Sequence, residues 1–506
     1  MEINKLFVST LGKVQDVLIT IHENRRLQNR SIFYGGVVHR PSSEDPLFVK
    51  LQHLRRRLRR QMNTFTTARP SFDATELVVP FVDIIHSEAC SGTVKASALN
   101  ALRHFIHAGV VSRTSTRISP AINAAADAAI NCRFEMSEAG SDEVVLHAVL
   151  SLVQTLLESD CGYMLTDEVV WGISQAAFSL TFTQHRSLLL QKQSEHSLKS
   201  IMRHVFSRLG EMVERNNQDS GTKSVASLEE TSKEKIFKET SKDGREGYRP
   251  HGLPVAVKLF NFAMQLVDVK KTQDDLFTDT PSLSRTKIQV RQRRAQHLGF
   301  EMLNMAMTGG GENICACPAL LSAIQEDVCR AMVLACFVKN DDRLLACSLE
   351  LFQHLVVQCR RHLKYQINMF FVKVYLGHLS SVAARHERRL DAEPNNATSD
   401  DTRLRIVLES LADLSSRSWL WPELYANYDC DPSSPDILLP LCSLLARCAR
   451  PEHAQRDGKE VLVVGGLQLA SVHCLLNGMR LLVTSNTSSS SSIAETLRSR
   501  RARKEQ

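Results

Sequence analysis

Residues 423–431 read Glu423-Leu-Tyr-Ala-Asn-Tyr-Asp-Cys-Asp431, a stretch where aromatics, an amide and two closely spaced carboxylates crowd between strongly apolar segments. On its amino side Leu404, Val407, Leu408, Leu411 and Leu414 recur at three- and four-residue steps, the period of one helix face. Trp421-Pro422 follows, and a residue before proline is pushed out of the α region, so a helix is predicted to stop there. On the carboxyl side Ser434-Pro435-Asp436 offers an N-cap hydroxyl, a proline for the first helical position and an acid for the first turn, with Leu438, Leu441, Leu444 and Leu445 beyond. The nonapeptide is therefore expected to be a rigid connector between two packed helices. Tyr425 and Tyr428 should turn inward, while Asp429 and Asp431 should sit at the positive end of the following helix.

The same helical period fills most of the 506 residues. Ile3, Phe7, Leu11, Val14, Val17, Leu18 and Ile21 form one stripe, and Leu47, Leu51, Leu54, Leu58 and Met62 form another. Lys50, Arg56, Arg57 and Arg60 lie away from the second stripe, as a solvated face or as a contact for acidic head groups or an acidic partner. Stripes through Leu77–Ile85, Ala96–Phe105, Val144–Leu156 and Leu188–Leu209 continue to about residue 216. Residues 217–247 turn to Ser, Thr, Lys, Glu and Gly, the composition of a linker. Helical patterns resume at Val255 and run through 288–307, 320–338, 344–361 and 362–384, with the last at 472–482. The expected fold is all-α, with stacked helical hairpins in an armadillo/HEAT-like right-handed solenoid of two domains. The domains are placed at 1–216 and 248–483, with 217–247 as polar linker and 484–506 as a serine- and arginine-rich tail.

Composition narrows the function. Hydrophobic residues make up 43% of the chain, enough for real cores, and the net charge of +7 is modest. The cations cluster locally, which points to anionic contact patches and away from a wholly basic nucleic-acid binder. The 13 cysteines show no CxxC pair and lie mostly in apolar helical segments, as reduced core thiols do. The amino terminus mixes Glu2, Lys5, Lys13 and Asp16 among its apolar residues, so it has no signal-peptide core, and no uncharged apolar run reaches about 18 residues.

No catalytic, cofactor or metal site is expected. An EF-hand register beginning at Asp429 would need Gly where Ser434 stands and Glu where Pro440 stands. No P-loop occurs, and His104 with His107 lacks further ligands at zinc spacing, as do Cys315 and Cys317. No Gly-x-Ser-x-Gly elbow accompanies the 18 histidines.

Asn427-Tyr428-Asp429-Cys430-Asp431 resembles the box that marks the homology-upstream domain of the large Arf guanine nucleotide exchange factors, and Tyr248-Arg-Pro-His-Gly-Leu-Pro254 is similar to the opening of that domain. Arg133-Phe134, Ser141–Leu146, Gly162–Glu168 and Val205–Leu209 resemble the dimerisation and cyclophilin-binding domain of the same family, with departures at residues 24–41 and after Lys50. The resemblance implies a non-enzymatic regulatory region: the family's exchange chemistry belongs to a Sec-seven domain with a Phe-Arg-Leu-Pro-Gly-Glu motif, which is absent from this sequence. It further implies a homodimer, contact with the catalytic domain, an indirect relation to an Arf-family GTPase, and peripheral, cytoplasmic attachment to an anionic Golgi membrane surface, with no nucleic-acid partner. The interaction residues expected are Asn427 to Asp431, with Arg103 or His104 and Glu143 for self-pairing; Lys50, Arg56, Arg57 and Arg60 are expected at the anionic surface. A generic helical-repeat adaptor is the competing class, and an RNA binder using Arg55–Arg60 a second one that lacks interleaved aromatics.

Overall fold

A computed structural model describes residues 2–33, 46–64, 73–133, 139–183, 187–223, 249–268, 285–381, 398–456 and 459–488. Packing divides the chain into two units, Met1–Leu259 and Phe260–Gln506. The residues read as polar linker fall largely outside the described ones, as do most of 484–506.

Unit 1 contains α1 (Glu2–Phe33), α2 (Pro46–Thr64), α3 (Ala74–His86), α4 (Gly92–His107), α5 (Ile118–Ile130), α6 (Ala139–Glu158), α7 (Asp167–Phe182), α8 (Leu188–Ser207) and α9 (Leu209–Lys223). Helix α3 packs on α4 and α5, α4 on α6, α5 on α6 and α7, α6 on α8, and α7 on α8, a next-neighbour and next-but-one pattern of the kind stacked hairpins make. Side-chain caps set several starts: Asp73 accepts from Thr75 N–H, Thr166 from Val169 N–H and Ser187 from Leu190 N–H. Helix α5 buries Ala121, Ala125, Ala126, Ala128 and Ala129, and these small side chains let α3, α6 and α7 approach its backbone. Phe81 and Phe105 meet edge to face at 5.2 Å in the centre. Buried Asn123 ties the chain between α6 and α7: its amide donates to the Ser119 and Met164 carbonyls and its oxygen accepts from Thr166 N–H.

Helix α10 (Leu253–Val267) carries the division between the units. Unit 2 continues with α11 (Arg285–Gly310), α12 (Pro318–Ala323), α13 (Cys329–Cys336), α14 (Asp342–Cys359), α15 (Lys364–Phe370), α16 (Thr398–Ser415), α17 (Leu420–Leu424), α18 (Leu438–Cys448) and α19 (Gly466–Ser488). Between α18 and α19 lies an antiparallel pair, β1 (Glu452–Arg456) and β2 (Lys459–Val463), a small addition to an otherwise all-α fold that the sequence pattern did not predict. The stack α11, α14, α16, α19 runs through the unit, each packing on the next. Its centre is aromatic: Phe352 stacks on Phe370 at 3.8 Å and meets Phe371 and Tyr375, while the Tyr375 hydroxyl lies 2.9 Å from Ser410 Oγ. Among the described residues three π-helical turns interrupt the helices, at Ile324–Val328, Phe371–Leu376 and Tyr425–Asp429. Among the described residues no helix is long and apolar enough to cross a membrane.

Candidate functional site

Three expectations about residues 415–438 are corrected. Helix α16 ends at Ser415, before Trp421, and Pro422 lies in the first turn of α17, where its missing N–H has no helical acceptor to lose. Residues 420–429 are helical, first α and then π, so the segment read as a connector is largely a helix of its own; Cys430 N–H reaches back five residues to the Tyr425 carbonyl at 2.9 Å. Nor does Ser434-Pro435-Asp436 start a helix: α18 begins at Leu438, and its cap comes from Asp429. That carboxylate accepts from Ile437 N–H at 2.7 Å, Leu438 N–H at 3.0 Å and Leu439 N–H at 3.2 Å, so it closes an eight-residue loop onto the positive end of the helix.

Glu423 and Asp431 are tied to Arg360, in the turn after α14, and to Lys364, the first residue of α15. Asp431 pairs with Lys364 and accepts from Ser433 N–H at 2.9 Å and Ser433 Oγ at 2.8 Å, and Lys364 first, then Ser433, holds its carboxyl well below the usual carboxylate range. Arg360 bonds Glu423 at 3.0 Å and lies 4.6 Å above the Trp419 ring. Tyr428 and Cys430 are buried, whereas Tyr425 and Asn427 are half-buried, so of the two tyrosines expected inside only Tyr428 is fully enclosed. Burial pushes the Tyr428 phenol up. Trp421 completes the clamp: its indole N–H donates to the Ser415 carbonyl at 3.2 Å and its ring covers Gly478 of α19, where an added Cβ would come within 2.8 Å. The sequence reading found the acids and missed their partners, although Arg360-Arg-His-Leu-Lys364 is a dense cationic run facing them.

Two of the self-pairing candidates, His104 and Glu143, have partners within unit 1. His104 lies 2.6 Å from Ser9 Oγ of α1, and burial first, then Lys13, His107 and Arg103, lowers its pKa. Glu143 accepts from Ser187 N–H at 2.7 Å, joining the starts of α6 and α8, and Arg103 is exposed. Around that junction Val144, Leu188 and Leu189 stand 56%, 74% and 68% exposed. On α2, Lys50 pairs with Asp83 at 2.7 Å and Arg57 with Glu76 at 2.5 Å, while Arg56 and Arg60 are exposed. These cations line one cleft against α3.

Sequence reasoning also missed a cluster where residues 251–252 return onto unit 1. His251 N–H donates to the Leu165 carbonyl at 2.7 Å and Gly252 N–H to Asp167 Oδ1 at 2.8 Å. Arg208 reaches His251 Nε2 at 3.3 Å, and both Arg208 and Arg113 lie over the Tyr163 ring. Among the described residues no group of His, Cys, Asp and Glu is arranged to hold a metal ion, and the cysteines form no disulfide bonds.

Residues 253–437 match the family model described as Mon2/Sec7/BIG1-like, HUS domain, a span that ends at the residue before α18 and takes in the box together with Arg360, Lys364 and Trp421. The chain is similar to the ARF guanine-nucleotide exchange factor GNOM of Arabidopsis thaliana, 23% identical over 87% of this chain and 32% of that protein. ARF guanine-nucleotide exchange factor 2 of Saccharomyces cerevisiae is 24% identical over 76% of this chain and 29% of its own length. The Golgi-specific brefeldin A-resistance guanine nucleotide exchange factor 1 homolog of Caenorhabditis elegans is 33% identical over 136 residues, 27% of this chain and 7% of that protein. The chain thus spans about a third of the length of the first two relatives. The box and the HUS match thus fall on the same residues, and the chain is similar along most of its length to large ARF guanine-nucleotide exchange factors.

Proposed function

We propose that this chain is a regulatory, self-associating and membrane-targeting region of a Golgi ARF exchange factor, acting in vesicle transport without performing nucleotide exchange itself. The observation that carries this reading is the HUS-domain match across 253–437, on a segment whose acids cap a helix or pair with cations and whose described residues hold no metal-binding group. The Golgi assignment is supported by the brefeldin A-resistance relative over its matched 136 residues. Self-association draws support from the exposed apolar corner of Val144, Leu188 and Leu189 beside the Glu143–Ser187 bond, and membrane targeting from the cations of α2. Contact with the catalytic domain, and through it an indirect effect on the ARF GTPase, is the regulatory step. The test is nucleotide release from purified ARF. The chain alone should leave release at its spontaneous rate, and added to an isolated catalytic domain it should change that domain's rate. Acceleration by the chain alone, or no effect on the catalytic domain, would overturn the regulatory reading.

A further inference from the structure

Helix α2 buries Leu51, Leu54 and Leu58 on one side, and its flank toward α3 carries Lys50, His53, Arg56, Arg57 and Arg60 at helical spacing. Between that flank and α3 lies a cleft of about 650 Å³, within the size range of small-molecule sites, lined by these five side chains with Glu76 as the one carboxylate. Glu76 and Asp83 hold Arg57 and Lys50 in place from α3, so two cations of the rim have fixed positions. Arg56 and Arg60 project from successive turns on the exposed side. Four cations against the carboxylates of Glu76 and Asp83 leave the cleft net positive, in a volume that a compact anion fills and a long acidic peptide does not. A guanidinium fork binds phosphate oxygens in pairs, and the guanidinium groups of Arg56 and Arg60, about one helical turn apart and beside the fixed Arg57 and Lys50, suit a ligand presenting several phosphates better than one presenting single carboxylates.

We propose that this cleft binds an anion carrying several phosphate groups; the proposal rests on the membrane-targeting reading and narrows it from a charged surface to a shaped site. Such a group exists both on phosphorylated lipid head groups and as a free polyphosphorylated polyol, and the experiment separates the two. The full chain is titrated with soluble inositol hexakisphosphate, and separately with phosphatidylcholine vesicles containing either a phosphorylated phosphatidylinositol or phosphatidylserine at matched net charge. The same measurements are made on Arg56→Glu/Arg60→Glu and on a control pair, Lys339→Glu/Lys373→Glu, which changes the total charge equally at exposed positions in unit 2. The expected result is binding of the soluble anion, preference for the phosphorylated vesicles, and a loss of at least about tenfold in the cleft pair but not in the control pair. Soluble binding without vesicle binding would keep the cleft, make its ligand a free polyphosphate and remove the membrane reading. Equal binding of both vesicle types with no soluble binding, or equal losses in both variant pairs, would overturn the cleft while leaving a diffuse membrane contact. No binding to either probe would overturn both.

Discussion

The carboxylate of Asp429 caps the helix that starts at Leu438, accepting its N–H at 3.0 Å and those of its two neighbours at 2.7 and 3.2 Å. This is a capping interaction made across a loop, with the chain between cap and helix folded over it. Asp429→Ala removes the acceptor of three N–H groups at once and should destabilise the chain by about 2 kcal/mol, while Asp429→Asn, which keeps one oxygen, should lose roughly half as much. Urea denaturation of the two variants beside the parent measures this order, and a parent-like Asp429→Ala would mean that water replaces the cap.

Much of the helical content was legible because apolar spacing reports burial directly: Leu404, Val407, Leu408, Leu411 and Leu414 are all buried as one face. The region around the box was less legible, since local signals competed there with a distant one. Ser434-Pro435-Asp436 is a good start sequence by local chemistry, but three bonds to Asp429 outweigh a single serine cap and move the start to Leu438. The partners Arg360 and Lys364 lie more than sixty residues before the acids they bind, beyond the reach of spacing arguments.

Asp431 and Lys364 should behave as a pH-dependent pair. Because the folded-state pKa of Asp431 is held below its ordinary value, its contribution is present above that value, near pH 4, and is lost as the pH falls below it. In Lys364→Met the Asp431 carboxyl should titrate closer to the ordinary range, with Ser433 preserving part of the depression, as carboxyl-detected NMR titration will read. An unchanged titration midpoint would assign the whole effect to Ser433.

Two glycines should respond oppositely to alanine. At Gly478 a Cβ would meet the Trp421 ring at 2.8 to 3.0 Å, and that ring is held by its bond to Ser415, so Gly478→Ala should destabilise by about 1 to 3 kcal/mol. At Gly12, inside α1, nothing lies within 4 Å of the new atom, and Gly12→Ala should stabilise by roughly 0.5 to 1 kcal/mol through helix propensity. Thermal melts of the two variants should therefore move in opposite directions.

Self-association should depend on the apolar corner and not on the polar groups beside it. Leu188→Asp/Leu189→Asp should shift sedimentation of the chain toward the monomer. Glu143→Lys, which breaks the bond to Ser187, should lower stability by about 1 kcal/mol with a smaller effect on mass. A parent chain that is monomeric at high concentration removes the dimer altogether.

His251 should give unit 1 an acid-sensitive contact. Its Nδ1 lies 3.1 Å from the Leu165 carbonyl, which can only accept, so Nδ1 carries the proton and Nε2 offers its lone pair to the Arg208 guanidinium at 3.3 Å. Protonating Nε2 would remove that acceptor and set two cations face to face in a buried place. Burial first, then Arg208, accordingly pushes the His251 pKa down to about 4. The folded state therefore holds the neutral ring while the unfolded chain binds a proton near pH 6.5. Stability is full above about pH 6.5, declines as the pH falls toward 4 and levels off below it, a loss of about 3 kcal/mol across the window. His204, whose pKa burial also lowers, should add a smaller decline of the same sign. His251→Gln should lie below the parent at neutral pH yet show a flatter profile, so that urea midpoints of the two converge toward about pH 4. Arg208→Met should raise the His251 pKa and shift the decline to lower stability at neutral pH without abolishing it. Parallel profiles for parent and His251→Gln would show that the ring is solvated and that residues 251–252 do not hold their place on unit 1 through this histidine.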